Sequence, residues 1–225
     1  MEQEKSDNTS FITSPQQTIG EDGGERRQQG VVPTDHPHPG ALVAKFMASR
    51  ERNQRLQAEY DGKFTLTTTE PPTYHPSVRP IDDLVPIMVS EMELGKHHSG
   101  RKVTVAILTP PDVMNAIIAV AEDEEGTAML LKLYHQPKLP GVRPDDVLSH
   151  NMVYIIKEPF FEAMADGTYS MRVDHVSDIV WMQVTDPRIP TKWKVSRPET
   201  VTSEQIRRQG NDAVKNEQWF KAGKL

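Results

Sequence analysis

Two runs in the middle of the chain, "NAIIAVA" (residues 115–121) and "MLLKLY" (129–134), are apolar at nearly every position, and the acidic turn "EDEEG" (122–126) joins them. A strand with one wet face alternates apolar and polar residues, whereas a strand covered on both faces does not. Each run is too short for a helix, and Gly126 offers the positive φ that a tight turn uses, so the stretch predicts a hairpin. The rest of the chain must therefore supply both a core on one side of this hairpin and a cover on the other.

The neighbouring sequence supplies strands of the same kind. "HHSGRKVTVAIL" carries β-branched Val103, Thr104, Val105 and Ile107 after a turn, which predicts a strand. "NMVYIIKEPFFEAMADGTYSMRVDHVSDIVWM" holds two more apolar runs around "ADG" (165–167), a second hairpin. Between the hairpins, "QPKLPGVRPDDVLSHN" has room for one short helix at Asp145–Ser149. Five strands with a helix or loop between the third and fourth describe a small Greek-key barrel, of which the OB-fold is the best-known example. The fold class expected is α+β: an OB-like barrel or curved antiparallel sheet over residues 81–195, its outside covered by flanking helices. A helix is also expected at Asp82–Leu94, despite Pro86.

Outside the barrel the composition changes. Residues 1–40 hold six large apolar residues (Met1, Phe11, Ile12, Ile19, Val31 and Val32) among Gln, Gly, Ser and Pro, too few to offset the entropy of ordering, which predicts a disordered tail. Within it, "HPHPG" could hold a metal weakly through His36 and His38, but prolines flank both and no third ligand is near, so a stiff polar linker is the reading. Residues 41–62 lack proline until well past the segment and are rich in Ala, Leu, Arg, Gln and Glu, a helix with Leu42, Phe46, Leu56 and Tyr60 near one face and Asn53 interrupting it. Arg50, Arg52 and Arg55 alternate with Glu51 and Glu59, a solvated face. Residues 63–80, with four prolines in "EPPTYHPSVRP", read as a linker.

Charge and motifs narrow the chemistry. The net charge of −6 gives no electrostatic case for binding a phosphate backbone. Tyr134, Tyr154 and Tyr169 with Lys132, Lys157 and Arg172 could stack and neutralise a single strand, but Glu158, Asp174 and the acidic turn cancel that charge, so core or rim tyrosines are expected. Glu122, Asp123, Glu124 and Glu125 read as a solvated turn, because adjacent side chains on a hairpin tip diverge. In "RVDH", Asp174 and His175 point to opposite faces of a strand, while Asp174 and Arg172 share one and can pair. His97 and His98 read as an exposed turn. No phosphate loop, nucleophile elbow or metalloprotease helix occurs, so no catalytic residue, cofactor site or metal site is assigned. There is no cysteine, hence no disulfide or thiolate site; "MEQEKSDNTS" lacks the apolar core of a secretory signal, and no stretch approaches the ~20 apolar residues of a membrane span. An intracellular location, cytoplasm or nucleus, is expected.

The C-terminus has a different pattern. Thr202 to Gln205 fit a capping box with Val201 and Ile206 placed as its staple. Ile206, Gly210, Ala213 and Val214 then share a helical face, Asn216-Glu217 turn, and Trp219 and Ala222 open a second helix. This resembles the first helix and a half of a tetratricopeptide repeat, through Gly210, Asn211, Ala213, Lys215, Trp219 and Ala222. In members of that family that clamp a peptide's terminal carboxylate, a basic residue and an Asn do the holding; the resemblance places Arg207 and Asn211 there. A repeat does not bury its apolar face alone, so residues 200–225 read as a truncated repeat.

The segments "EDEEGTAMLLKLYHQ", "KEPFFEAMADGTYSMRVDHVSDIVWM" and "DPRIPTKW", followed by that repeat start, resemble the N-terminal region of fungal proteins in which such repeats precede a SET domain. The resemblance implies a full-length form that is a protein-lysine methyltransferase using S-adenosylmethionine, with the SET motifs absent from these residues. The functional expectation is a non-catalytic, partner-binding scaffold region rather than an enzyme, with other proteins as partners. The alternatives are an OB-like module for single-stranded nucleic acid and a co-chaperone-like adaptor for peptide C-termini.

Overall fold

The computed structural model describes residues 29–59, 72–136 and 143–194, together with helical positions at Arg207, Asn211, Asp212 and Val214. Its elements, in chain order, are α1 (Pro39–Glu59), β1 (Val85–Pro86), β2 (Lys96–His97), β3 (Arg101–Ile107), β4 (Asp112–Val113), β5 (Ile117–Asp123), β6 (Ala128–Leu133), α2 (Pro144–Val147), β7 (Val153–Lys157), β8 (Phe160–Ala163), β9 (Tyr169–Val173) and β10 (Ile179–Trp181). Short 3-10 turns lie at Ile81–Asp83, Val89–Glu91, Val176–Asp178 and Thr191–Trp193.

The strands form one sheet in the order β10-β7-β3-β5-β6-β9-β8-β2. Only Glu158 and Pro159 separate β7 from β8, so the two halves of one bent strand border β3 on one side and β9 on the other, and the sheet closes into a barrel. Glu158 makes the bend at φ 43°, and its backbone N–H donates to Arg101 O at 2.8 Å while its carboxylate accepts from Gly100 N at 2.7 Å. The hairpins predicted around residues 122–126 and 165–167 are both present, with Gly126 and Gly167 at positive φ. α2 fills the gap between the third and fourth barrel strands. The sheet is mixed, not the antiparallel sheet offered as an alternative: β6 pairs with β9, and β1 with β3, in parallel. The OB strand order is thus present in the pairing itself.

Period-2 alternation sends one set of side chains inside. Val103, Val105 and Ile107, then Ala119 and Ala121, then Met129, Leu131 and Leu133, then Tyr154, Ile156, Phe161, Tyr169 and Met171 make the core. The opposite set is covered outside, which is why the central runs are apolar throughout. Over β5 and β6, Val120 and Ala128 are buried with Leu42 of α1, and Val43, Phe46 and Leu130 pack against them. Over β3 and β7, Ala106, Val153 and Ile155 are buried with Met182 and Ile189. In place of the flanking helices expected, the cover is one helix and one irregular segment.

Three stretches differ from expectation. The helix expected at Asp82–Leu94 is two 3-10 turns with β1 between them, because Val85 and Pro86 pair alongside Arg101 and Lys102. Residues 72–80 run extended across β9 as a strap held by its own backbone. Tyr74 N donates to Asp174 Oδ2 (3.2 Å) and Ser77 N to Asp178 Oδ1 (2.9 Å), while Lys157 Nζ donates to Ser77 O (3.0 Å) and Arg172 to Pro72 O. Residues 29–38 also pack on the barrel: Gly30 N donates to Leu94 O, Leu94 N to Val31 O, and the His36 ring lies against Phe161 and Tyr169. The disorder expected for residues 1–28 concerns positions outside the described ones. So do Ile206, Gly210, Ala213, Trp219 and Ala222; Arg207, Asn211 and Val214 are helical and exposed, and a repeat hairpin is not among the described elements. Among the described residues no helix is long and apolar enough to cross a membrane.

Candidate ligand cleft

A cleft of about 180 Å³ lies between α1 and the barrel over β5 and β6. Leu42, Lys45, Phe46, Ser49, Arg50 and Asn53 line it from the helix, a set spaced three and four apart and hence on one face. Ile118, Leu130 and Lys132 form the floor, Asp112 comes from β4 and Met114 from just after it, and Met164, Asp166 and Thr168 from the turn between β8 and β9. Asn53, which interrupts the apolar stripe in the sequence, donates to Asp112 Oδ2 at 3.3 Å, and Arg50 Nε donates to Pro111 O at 3.3 Å. At the mouth, Lys45 Nζ meets Asp166 Oδ2 at 2.7 Å. Burial raises the Asp166 carboxyl, but the bonds from Lys45 and Thr168 outweigh it and hold the group below its usual range.

Lys132 is the unusual member. It sits in an otherwise apolar strand on the outward face of β6, in register with Ile118 on one side and Arg172 on the other. Its side chain is 7% exposed, and burial pulls its ammonium below the usual lysine value against the nearby Glu162 charge. The nearest carboxylate oxygen, Glu162 Oε1, stands at 3.5 Å and already accepts from Ser170 Oγ at 3.0 Å. Chemically, the cleft pairs apolar walls with one sequestered cation.

The other groups singled out in the sequence are structural. Arg172 and Asp174 form the expected pair, both buried, and the Arg172 guanidinium lies 5.6–5.7 Å from the ring centroids of Tyr74, Tyr134 and Phe160. Tyr134, Tyr154 and Tyr169 are buried, as the core reading has it. The acidic turn is not wholly solvated. Asp123 is fully buried and accepts from Val89 N (2.8 Å), Glu125 N (3.0 Å) and Thr127 N (2.8 Å), because inward alternation from Ile117 carries it into the barrel end. Nor is the histidine pair an exposed turn. His98 is buried, donating from Nδ1 to Pro159 O (3.1 Å) and accepting at Nε2 from Glu93 N (3.0 Å). Among the described residues no three His, Asp or Glu side chains converge to hold a metal.

No family model matches the chain. It is 46% identical over 187 residues to a protein of Gibberella zeae named "Methyltransferase", a match covering 79% of this chain and 25% of that protein. The chain therefore spans about a quarter of the length of this curated relative. A contiguous match of that extent cannot leave the barrel out. Among solved structures, an OB domain from Methanosarcina mazei superposes over 53% of this chain and 97% of that one, with TM-score 0.34 and 11% identity.

The likeness to the Gibberella zeae protein corrects two expectations, that the chain is a non-catalytic scaffold region and that it is not an enzyme. Both rested on finding no converging catalytic motif within these residues, and three quarters of the relative lies beyond the match. The alternatives lose ground as well. α1 covers the second and third barrel strands, the face on which OB-folds take oligonucleotides, and the tyrosines that would stack bases are buried, Tyr154 and Tyr169 in the core and Tyr134 beneath Arg172. Arg207 and Asn211 are exposed, and most residues around them lie outside the described ones, so the peptide-binding alternative gains no support.

Proposed function

We propose that this chain works as part of a methyltransferase, and that the cleft between α1 and the barrel gives that enzyme a ligand site. The observation that supports the reading is the 46% identity to the fungal methyltransferase over 79% of the chain, which takes in the barrel. Transfer of a methyl group to nitrogen needs a neutral amine in line with the methyl carbon of a sulfonium donor. The new N–C bond forms as the C–S bond breaks, the thioether leaves and the nitrogen gives up a proton. No barrel residue is assigned to that step; the barrel's part is to bind and place. Within the same proposal, the SET type of transfer to protein lysine and the helical repeat begun by Ile206, Gly210, Ala213, Val214, Trp219 and Ala222 rest on sequence resemblance.

The test measures methyl transfer from labelled S-adenosylmethionine to protein by the full-length Gibberella zeae relative and by a chimera in which this chain replaces its counterpart. Both transfer label, and Ser49→Trp, which fills the cleft from the helix side, lowers the chimera's rate by about tenfold or more. A relative without transfer defeats the methyltransferase reading. A folded chimera that fails beside an active relative defeats this chain's part in it, and an unchanged rate in the Ser49→Trp chimera defeats the role of the cleft.

A further inference from the structure

We infer that the cleft under α1 binds a small organic monocarboxylate, with the carboxylate on Lys132 and an apolar body against the helix. The inference rests on the reading of the cleft as a ligand site and is independent of methyl transfer. A buried ammonium is costly unless oxygen acceptors surround it. Arg172, its neighbour across the sheet, has oxygen acceptors at Nε and Nη2, from Asp174 and Pro72 O. Lys132 instead points at the thioether of Met164, a weak acceptor, and at a carboxylate 3.5 Å away, beyond ordinary hydrogen-bond length. A ligand carboxylate would supply what these do not.

Size and charge narrow the ligand. The walls beside Lys132 are Leu42, Phe46, Ile118, Leu130 and Met164, which suit an apolar body and offer it few hydrogen bonds. The cations lining the cleft are Lys45, Arg50 and Lys132 and the carboxylates are Asp112 and Asp166; Glu162, 3.5 Å from Lys132, brings the two signs into balance, so the ligand carries no more than one charge. Both carboxylates are engaged at the rim, by Asn53 and Lys45, and Lys132 lies at the floor. The volume of about 180 Å³ is close to that of an apolar cavity of ~150 Å³ known to take benzene, so the body is one ring or a short chain.

Benzoate is the probe, with benzyl alcohol as its uncharged counterpart of similar size and inorganic phosphate as an anion without an apolar body. Amide NMR titrations of the whole chain should show benzoate shifting residues 42–53, 130–132 and 164–168, with benzyl alcohol at least about tenfold weaker and phosphate weaker still. Lys132→Met should keep the fold, checked by its melting curve, and abolish the preference for benzoate over benzyl alcohol. Should Lys132→Met fail to fold, Leu130→Phe, which narrows the cleft and leaves the ammonium in place, should weaken benzoate by a similar factor. Equal binding of the two ring compounds, an undiminished preference in Lys132→Met, benzoate binding unchanged by Leu130→Phe, stronger binding of phosphate, or no shifts with benzoate near its solubility would each overturn the inference.

Discussion

Replacing Asp123 with alanine tests whether one acid in a row of four holds the barrel end together. The side chain is fully buried, and its two oxygens accept three backbone N–H groups, from Val89, Glu125 and Thr127. Hydrogen bonds to a charged acceptor contribute about 1.5–3 kcal/mol each, and a buried donor left unpaired costs about 1–3 kcal/mol. The N–H of Val89, a residue with no exposed surface, is sealed from water, while those of Glu125 and Thr127 lie in the turn and can find solvent. Relief from burying the carboxylate offsets part of the loss. The expected destabilisation is about 3–4 kcal/mol, which at a urea slope of about 2 kcal/mol/M moves the unfolding midpoint down by about 1.5–2 M. Asp123→Asn keeps a single acceptor oxygen and turns an N–H₂ toward Val89 N or toward the turn, so it should lose most of the same amount. Glu124→Ala, at the exposed tip, should stay within about 0.5 kcal/mol. The reasoning is refuted if the Asp123→Ala and Glu124→Ala midpoints coincide.

Three further outcomes follow from the same structure. Burial keeps the His98 pKa below the usual value near 6.5 against the opposing pull of Pro159 O, and the Nε2 that accepts from Glu93 N does so only in the neutral ring. Its contribution is therefore complete above pH ~6.5 and lost as pH falls through the lowered folded value, so urea midpoints should drop over that window and drop less in His98→Gln; equal slopes would exclude it. Asp174→Ala strips a buried Arg172 of its partner, at a cost of about 3–5 kcal/mol, and frees Tyr74 N, so limited proteolysis should newly cut within residues 72–80; an unchanged digestion pattern contradicts that. Lys45→Ala removes a half-exposed ion pair and should change stability by no more than about 1 kcal/mol, less in high salt, as denaturation at two ionic strengths would read.

What could be read in the sequence was what alternation and turn chemistry control. The hairpins around Gly126 and Gly167 and the doubly covered strands were legible because each is a local pattern. Asp123 was not, although the parity of Ile117, Ala119 and Ala121 points it inward; four adjacent acids look alike until register is followed to the strand's end. Lys132 left a signal too, as the one charge inside "MLLKLY". The strap was opaque for another reason. Many of its attachments run through its own amides and carbonyls, which no side-chain pattern encodes, and its prolines imitate a spacer. The helix expected at residues 82–94 lost to β1, where pairing with β3 outweighs local propensity. The likeness to a methyltransferase was legible as a resemblance of residues 122–193, whereas no catalytic motif is complete within these residues to show it locally.

A grip exerted on amides and carbonyls is indifferent to which side chains they carry. Along residues 72–80 the spelling is constrained instead where a side chain also engages the barrel: at Thr73, bonded to His135, at Tyr74, whose hydroxyl donates to Arg172 O and accepts from Asp174 N, at the buried Ser77, and at Arg79, paired with Glu158. The clasp lies elsewhere, in Lys157, Arg172, Asp174, His175 and Asp178, and a change in any one of these five loosens a ribbon more than seventy positions upstream in the chain.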